Sequence, residues 1–146
     1  MNSRRTFVKK GIAGLMAGGI ISLPEKSDAA ASKKEDTFTL GMAGYSFYHF
    51  KLDEALEMMK KTDVHYLCIK DFHLPYNSTA EQITAFHQKL KDAGVTGYAV
   101  GPIYTKTHQE VDNAFDYAKR VGVDLIVGIP NHDDLKYVEQ KVKEYN

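Results

Sequence analysis

Cysteine is nearly missing: one residue, Cys68, stands in a chain of 146. That excludes an internal disulfide framework and any Cys-rich zinc site. Net charge is missing too, since 19 basic side chains meet 19 acidic ones. A neutral balance, with no Lys/Arg-rich block interleaved with aromatics, leaves no electrostatic footprint for nucleic acid. The uncharged stretch from Gly11 to Leu23 is about 13 residues, short of the roughly 20 that a spanning helix needs. There is no HExxH, no GxSxG elbow and no P-loop. The composition is otherwise ordinary, at 43% hydrophobic and 26% charged. Disorder, collagen and coiled coil are excluded for the whole chain, and the length suits one domain.

Two unlike parts share this average. Residues 1–31 carry Arg4, Arg5, Lys9, Lys10 and Lys26 against Glu25 and Asp28, a net of +3, which leaves −3 for the rest. Basic residues, a mild apolar run and then small residues, in that order, are the grammar of a secretory signal. Ser3-Arg4-Arg5-Thr6-Phe7-Val8-Lys9 resembles the twin-arginine export signal, and Ala29-Ala30-Ala31 offers a cleavage site after Ala31. The expectation is a leader over 1–31, a polar linker over 32–36 and a domain over 37–146. The leader's partner is the twin-arginine translocase. The mature domain is expected in the periplasm or another extracytoplasmic space, with no stable membrane insertion after cleavage.

From residue 37 on, one pattern repeats four times. Apolar β-rich runs at Thr37–Ala43, Val64–Ile69, Val95–Val100 and Val123–Ile129 have centres about 27 to 31 residues apart, the length of a strand–helix unit. Near-continuous apolar runs suit parallel strands covered on both faces. Between them, apolar residues recur at helical spacing: Leu52, Ala55, Leu56 and Met59; Ile83, Phe86 and Leu90; Val111, Ala114, Phe115, Ala118 and Val121; Leu135, Val138 and Val142. Ser78 with Glu81, and Thr107 with Glu110, fit capping boxes, and Asn131 can cap the fourth helix. Gly94 and Gly122 fall where a helix C-terminus turns with positive φ.

Four successive βα units make a parallel sheet with right-handed crossovers. An open doubly wound sheet and part of a (β/α)₈ TIM barrel both satisfy that rule. Regular spacing favours the barrel, as does the bulky turn Tyr45-Ser46-Phe47-Tyr48-His49-Phe50 where a nucleotide-binding sheet needs glycines. The expected fold is thus α/β, four βα units of an incomplete barrel. A whole barrel takes about 250 residues. Either two copies complete each other as a homodimer or the sequence is the front half of a longer protein, and the second is favoured.

Ligands of parallel α/β folds bind at the C-terminal strand ends. That rule selects Tyr45 to His49, Lys70 to Pro75, Gly101-Pro102-Ile103-Tyr104 as a loop, and Pro130-Asn131-His132. These segments can hydrogen-bond hydroxyls or stack on sugar rings, so a sugar or glycoside derivative is the expected small-molecule partner. In the densest group, His73 can act as acid or base near neutral pH and Lys70 can polarise a carbonyl. Asp71, Tyr45, Tyr104 and Asn131 are candidate substrate contacts. The four strand ends offer only Asp71 as a carboxylate, so no metal site can be assembled.

The leader, Leu40 to Phe47, Ile69 to Pro75 and Val127 to Asn131 together resemble exported members of the sugar phosphate isomerase/epimerase family, within the xylose isomerase-like TIM barrels. The resemblance covers the front half of that barrel. It implies a divalent metal (Mn, Mg or Zn) and proton transfer beside a sugar carbonyl through an enediolate, or related lyase and dehydratase chemistry on keto-sugars. It also implies that the metal ligands come mainly from later strands, past residue 146. Lys70 and His73 are the residues it carries over. A non-enzymatic carbohydrate-binding half-barrel and an inactive fragment remain as alternatives.

Overall fold

Strand and helix alternate along the chain in a computed structural model, which describes residues 38–145. The leader and linker expected before residue 37 lie outside the described residues. The strands are β1 (Gly41–Ala43), β2 (Tyr66–Ile69), β3 (Thr96–Thr105) and β4 (Ile126–Pro130), and the helices α1 (Leu52–Thr62), α2 (Ala80–Asp92), α3 (His108–Val121) and α4 (Leu135–Tyr145).

The strands pair in parallel in the order β1-β2-β3-β4. With right-handed crossovers, strands added always on the same side put every helix on the same face. A doubly wound sheet instead reverses its strand order partway. The fold is therefore an α/β half-barrel. The core lies between sheet and helices. Leu67, Ile69, Val100 and Ile103 from the sheet meet Ala55, Met59, Phe86, Leu90, Ala114 and Ala118 from the helices.

Helix ends follow local chemistry, with three corrections. Gly122 (φ +78°) ends α3 and Gly94 (φ +68°) follows α2, both left-handed as expected. The α2 capping box uses Thr79 and Gln82 rather than Ser78 and Glu81. Thr79 N donates to Gln82 Oε1 at 2.8 Å, and Gln82 N donates to Thr79 Oγ1 at 3.3 Å. Ser78 is buried instead, and its carbonyl accepts from Arg120 at 2.9 Å. Thr107 does cap α3, accepting from Glu110 N at 3.2 Å, but the Glu110 carboxylate takes Lys106 N rather than closing the box on Thr107.

The strands differ more. β1 is shorter than the run that announced it, and β4 begins three residues after Val123. β3 is longer. Gly101 and Pro102, joined by a cis peptide bond, are not its end. The register shifts between Val100 and Ile103, and pairing with β4 resumes through Thr105. Gly101 is required there. Its φ is +133°, and a Cβ would lie 2.5 Å from Val127 O. Asn131 is the third correction at a helix end. It precedes a 3₁₀ turn, His132–Asp134, makes no side-chain cap, and its Nδ2 donates to Lys106 O at 2.9 Å.

Phe115 is only half buried, while Tyr117 is fully buried in its place. The α4 stripe of Leu135, Val138 and Val142 contributes no buried residue. It lines one wall of a cavity of about 660 Å³ against α3 and β4. No helix among the described residues is long and apolar enough to cross a membrane.

Candidate functional site

The chain leaves β1 through a 3₁₀ turn, Gly44–Phe47. Gly44 lets that turn pass close to β2, because a Cβ there would fall 2.5 Å from Cys68 O. The turn places Tyr45 and Tyr48 at the strand's C-terminal end. Their rings stack, with centroids 5.8 Å apart and planes at 21°. Phe72, from the loop after β2, stands edge-on to both at 6.4 and 5.4 Å. Offset and edge-to-face contacts of this kind hold aromatic rings in place while leaving part of their faces open. Tyr45 is 57% exposed.

Lys70 and Asp71 follow β2 directly and form an ion pair. The Lys70 side chain is only 13% exposed, so water screens its charge poorly. The charge is felt at Cys68. Burial raises that thiol's pKa and Lys70 partly offsets the rise. Cys68 is buried, with Sγ 3.5 Å from Gly101 O, and is an inert packing group.

His73 has a definite orientation. Its Nε2 lies 2.9 Å from Phe50 O, and a carbonyl only accepts, so Nε2 carries a proton. Nδ1 is buried without a partner. The bond ties the loop after β2 to the loop after β1, and a cavity of about 370 Å³ lies there, lined by Tyr48, His49, Phe50, Phe72 and His73 among others. His73 is thus a brace between two rim loops.

The second half of the rim is built differently. Tyr104 belongs to β3, not to a loop, and is 68% exposed on the sheet face opposite the helices. Asn131 is exposed beyond β4, held to Lys106 O. Tyr45, Lys70, Asp71 and His73 therefore gather at the ends of β1 and β2. Tyr104 and Asn131 stand at the ends of β3 and β4. Among the described residues, no hydrogen bond or ring contact joins the two groups.

The other histidines serve structure or surface. His87 Nε2 donates to Val121 O at 2.8 Å. His65 contacts Gly94 O and the Asp63 carboxylate. His108 stacks on Tyr137 with ring centroids 3.9 Å apart.

Sequence reasoning missed the supports of the rim. Tyr117 reaches from α3 to donate to Leu74 O at 2.6 Å, 43 residues away. Arg120 donates to Ser78 O at 2.9 Å and to Tyr76 O. Together they fasten the segment after β2 to α3. The signal for Tyr117 was its spacing, three residues after Ala114 and four before Val121.

No three His, Cys, Asp or Glu side chains converge among the described residues. Asp71 is committed to Lys70, and His73 Nε2 to a carbonyl. These donors do not make a set that would hold a divalent ion.

No family model matches the chain, and no curated protein matches it. Among solved structures it is similar to an uncharacterized protein from Parabacteroides distasonis ATCC 8503, with 21% identity and a TM-score of 0.68. The match covers 74% of this chain and 50% of that one, so this chain spans about half the length of the structure it resembles. That likeness supports the α/β half-barrel architecture.

Proposed function

We propose that the rim binds a free sugar or related polyol, and that its chemistry is proton transfer beside a sugar carbonyl, as in sugar isomerases and epimerases. The observation that carries the reading is one cluster. Exposed rings of Tyr45 and Tyr48, braced edge-on by Phe72, stand at the strand ends that also carry the shielded Lys70–Asp71 pair. Apolar ring faces suit the C–H faces of a sugar, and fixed polar groups suit its hydroxyls.

The roles follow from position. Lys70 supplies a poorly screened positive charge, which stabilises negative charge developing on a carbonyl oxygen. Asp71 holds the ammonium in place and accepts from a substrate hydroxyl. His73 fixes the two loops relative to each other. Tyr104 and Asn131 are the contacts for the far end of a longer ligand. The described residues do not fit a divalent ion. The twin-arginine-like leader supports an exported protein, so an unphosphorylated ligand is favoured.

The test is a titration of the full chain with D-fructose, D-xylulose and glycerol, followed by tyrosine fluorescence. Saturable quenching by the ketoses, weakened in both Tyr45→Ala and Lys70→Met, is expected. Equal responses in wild type and both variants would place binding elsewhere.

A further inference from the structure

The loop between β2 and α2 runs from Lys70 to Thr79, longer than the roughly 2–6 residues usual for a βα connection. Its own backbone bonds make two separate turns. His73 N and Leu74 N both donate to Lys70 O, at 2.9 and 3.1 Å, and Ser78 N donates to Pro75 O at 3.0 Å. The first turn carries the rim residues Lys70, Asp71 and Phe72. These local bonds fix neither turn against the other nor against the rest of the fold.

Side chains from loop and helix do that. On one flank, His73 Nε2 donates to Phe50 O, in the loop that also carries Tyr45 and Tyr48. On the other flank stands α3. The Tyr117 hydroxyl donates to Leu74 O, where the two turns meet. Arg120 takes two carbonyls of the second turn, Ser78 O through Nη1 and Tyr76 O through Nη2. A planar guanidinium offers two donors in a fixed fork, which a lysine ammonium does not. Hydrogen bonds therefore lead from α3, through the loop after β2, to the loop after β1.

The electrostatics agrees. Burial raises the pKa of the Tyr76 and Tyr117 phenols, and the Asp71 charge adds to the rise in both. The Asp71 carboxylate is thus within electrostatic reach of the contact between α3 and its loop. A plainer role for Arg120 is to place a cation at the C-terminal end of α3, where the helix dipole favours one. Lys119 stands in the same last turn and can serve that purpose. Its ammonium lies over the Tyr145 ring, 5.3 Å from the centroid, while Arg120 is the one that bonds the loop.

We propose that Arg120 is a positioning residue for the rim. By holding the Tyr76 and Ser78 carbonyls it sets the loop that carries the Lys70–Asp71 pair. Through the His73 bond to Phe50 O it also sets that pair against the tyrosines of the loop after β1. It touches no ligand itself. This role rests on the sugar reading of the rim for its ligand, while the arrangement of the two loops can be read without one.

The test compares Arg120→Ala, Arg120→Lys and Lys119→Ala with wild type in the full chain. Both positions are exposed, so far-UV circular dichroism should keep its helical signal. D-fructose titrations, followed by tyrosine fluorescence, should show Arg120→Ala binding about fivefold more weakly, the scale of a coupling carried through a contact network. Arg120→Lys keeps the helix-end charge and loses the fork, so it should weaken binding by a smaller factor. Lys119→Ala should bind as wild type does. In the unliganded protein, amide shifts of Arg120→Ala should change at Asp71, Phe72 and His73 and onward at Phe50 and Tyr48. Fructose binding as tight in Arg120→Ala as in wild type overturns the proposal. So does an equal loss in Lys119→Ala, which is a helix-end charge effect, or a shift map that stops at Tyr76 and Ser78. A wild type that does not respond to fructose fails the sugar reading instead, and the unliganded map then decides alone whether Arg120 sets the rim.

Discussion

Replacing Tyr117 with phenylalanine removes one oxygen and little else. The ring keeps its place in the core and its edge contact with Tyr76, at 4.7 Å between centroids. What is lost is the 2.6 Å hydrogen bond to Leu74 O, in a buried setting. A buried carbonyl left without its donor costs about 1–3 kcal/mol. In urea that is a midpoint drop of roughly 1 M, with the slope unchanged because the surface exposed on unfolding is the same. Tyr117→Ala also loses the ring and should cost about 3–5 kcal/mol. The phenol gives a second readout. Burial, with the charges of Tyr76 and Asp71 adding to it, pushes its pKa well above the ordinary value of 10. The native state therefore keeps a proton that the unfolded chain gives up. That contribution is whole below about pH 10 and is lost as pH rises, at about 1.4 kcal/mol per pH unit. Tyr117→Phe should flatten the alkaline limb of stability against pH. A variant as stable as wild type, with the same alkaline limb, would refute the claim that this tyrosine fastens the loop after β2.

Other outcomes follow from single contacts. Lys70→Met should weaken ketose binding at least about tenfold, the cost of a charge-assisted hydrogen bond, read by the same fluorescence titration. Gly101→Ala should cost roughly 3 kcal/mol or more, since positive φ and the clash with Val127 O act together. Gly122→Ala, with the same sign of φ and open space around it, should cost only about 1–2 kcal/mol in urea melts; equal losses at the two sites would mean the clash is absent. Asp112 is held below the ordinary carboxylate range by the Tyr137 hydroxyl and Lys141. Its contribution is present above about pH 4 and is lost as pH falls through its native value. Asp112→Asn should remove that acid sensitivity from the α3–α4 contact, measured by amide exchange in α4.

The repeating plan was legible because its signals are local. Apolar runs at a regular period, Gly94 and Gly122 at helix exits, and helix stripes at 3.6-residue spacing each act within one unit. The end of β3 was not legible. Gly-Pro is a turn signal by propensity, but here the strand absorbs it with a register shift and resumes, which carries Tyr104 from a loop to a sheet face. Ser78 and Thr79 each start a pattern that fits a capping box, Ser-x-x-Glu and Thr-x-x-Gln. Only tertiary structure decides between them, because Ser78 is buried where Arg120 takes its carbonyl. The α4 stripe has the spacing of a core face, yet burial depends on what stands opposite. Within the site, the Lys70–Asp71 pair and the aromatic turn were readable from strand-end position. The bond from His73 to Phe50 O joins residues 23 apart in sequence and has no local signature.

The most direct test of the rim as a sugar site is an amide chemical-shift map of the full chain titrated with D-fructose. The account predicts saturable shifts gathered at Tyr45, Tyr48, Lys70, Asp71 and Phe72, and their loss in Lys70→Met. Shifts confined to the cavity between α3 and α4, or no saturable shift at all, would contradict it.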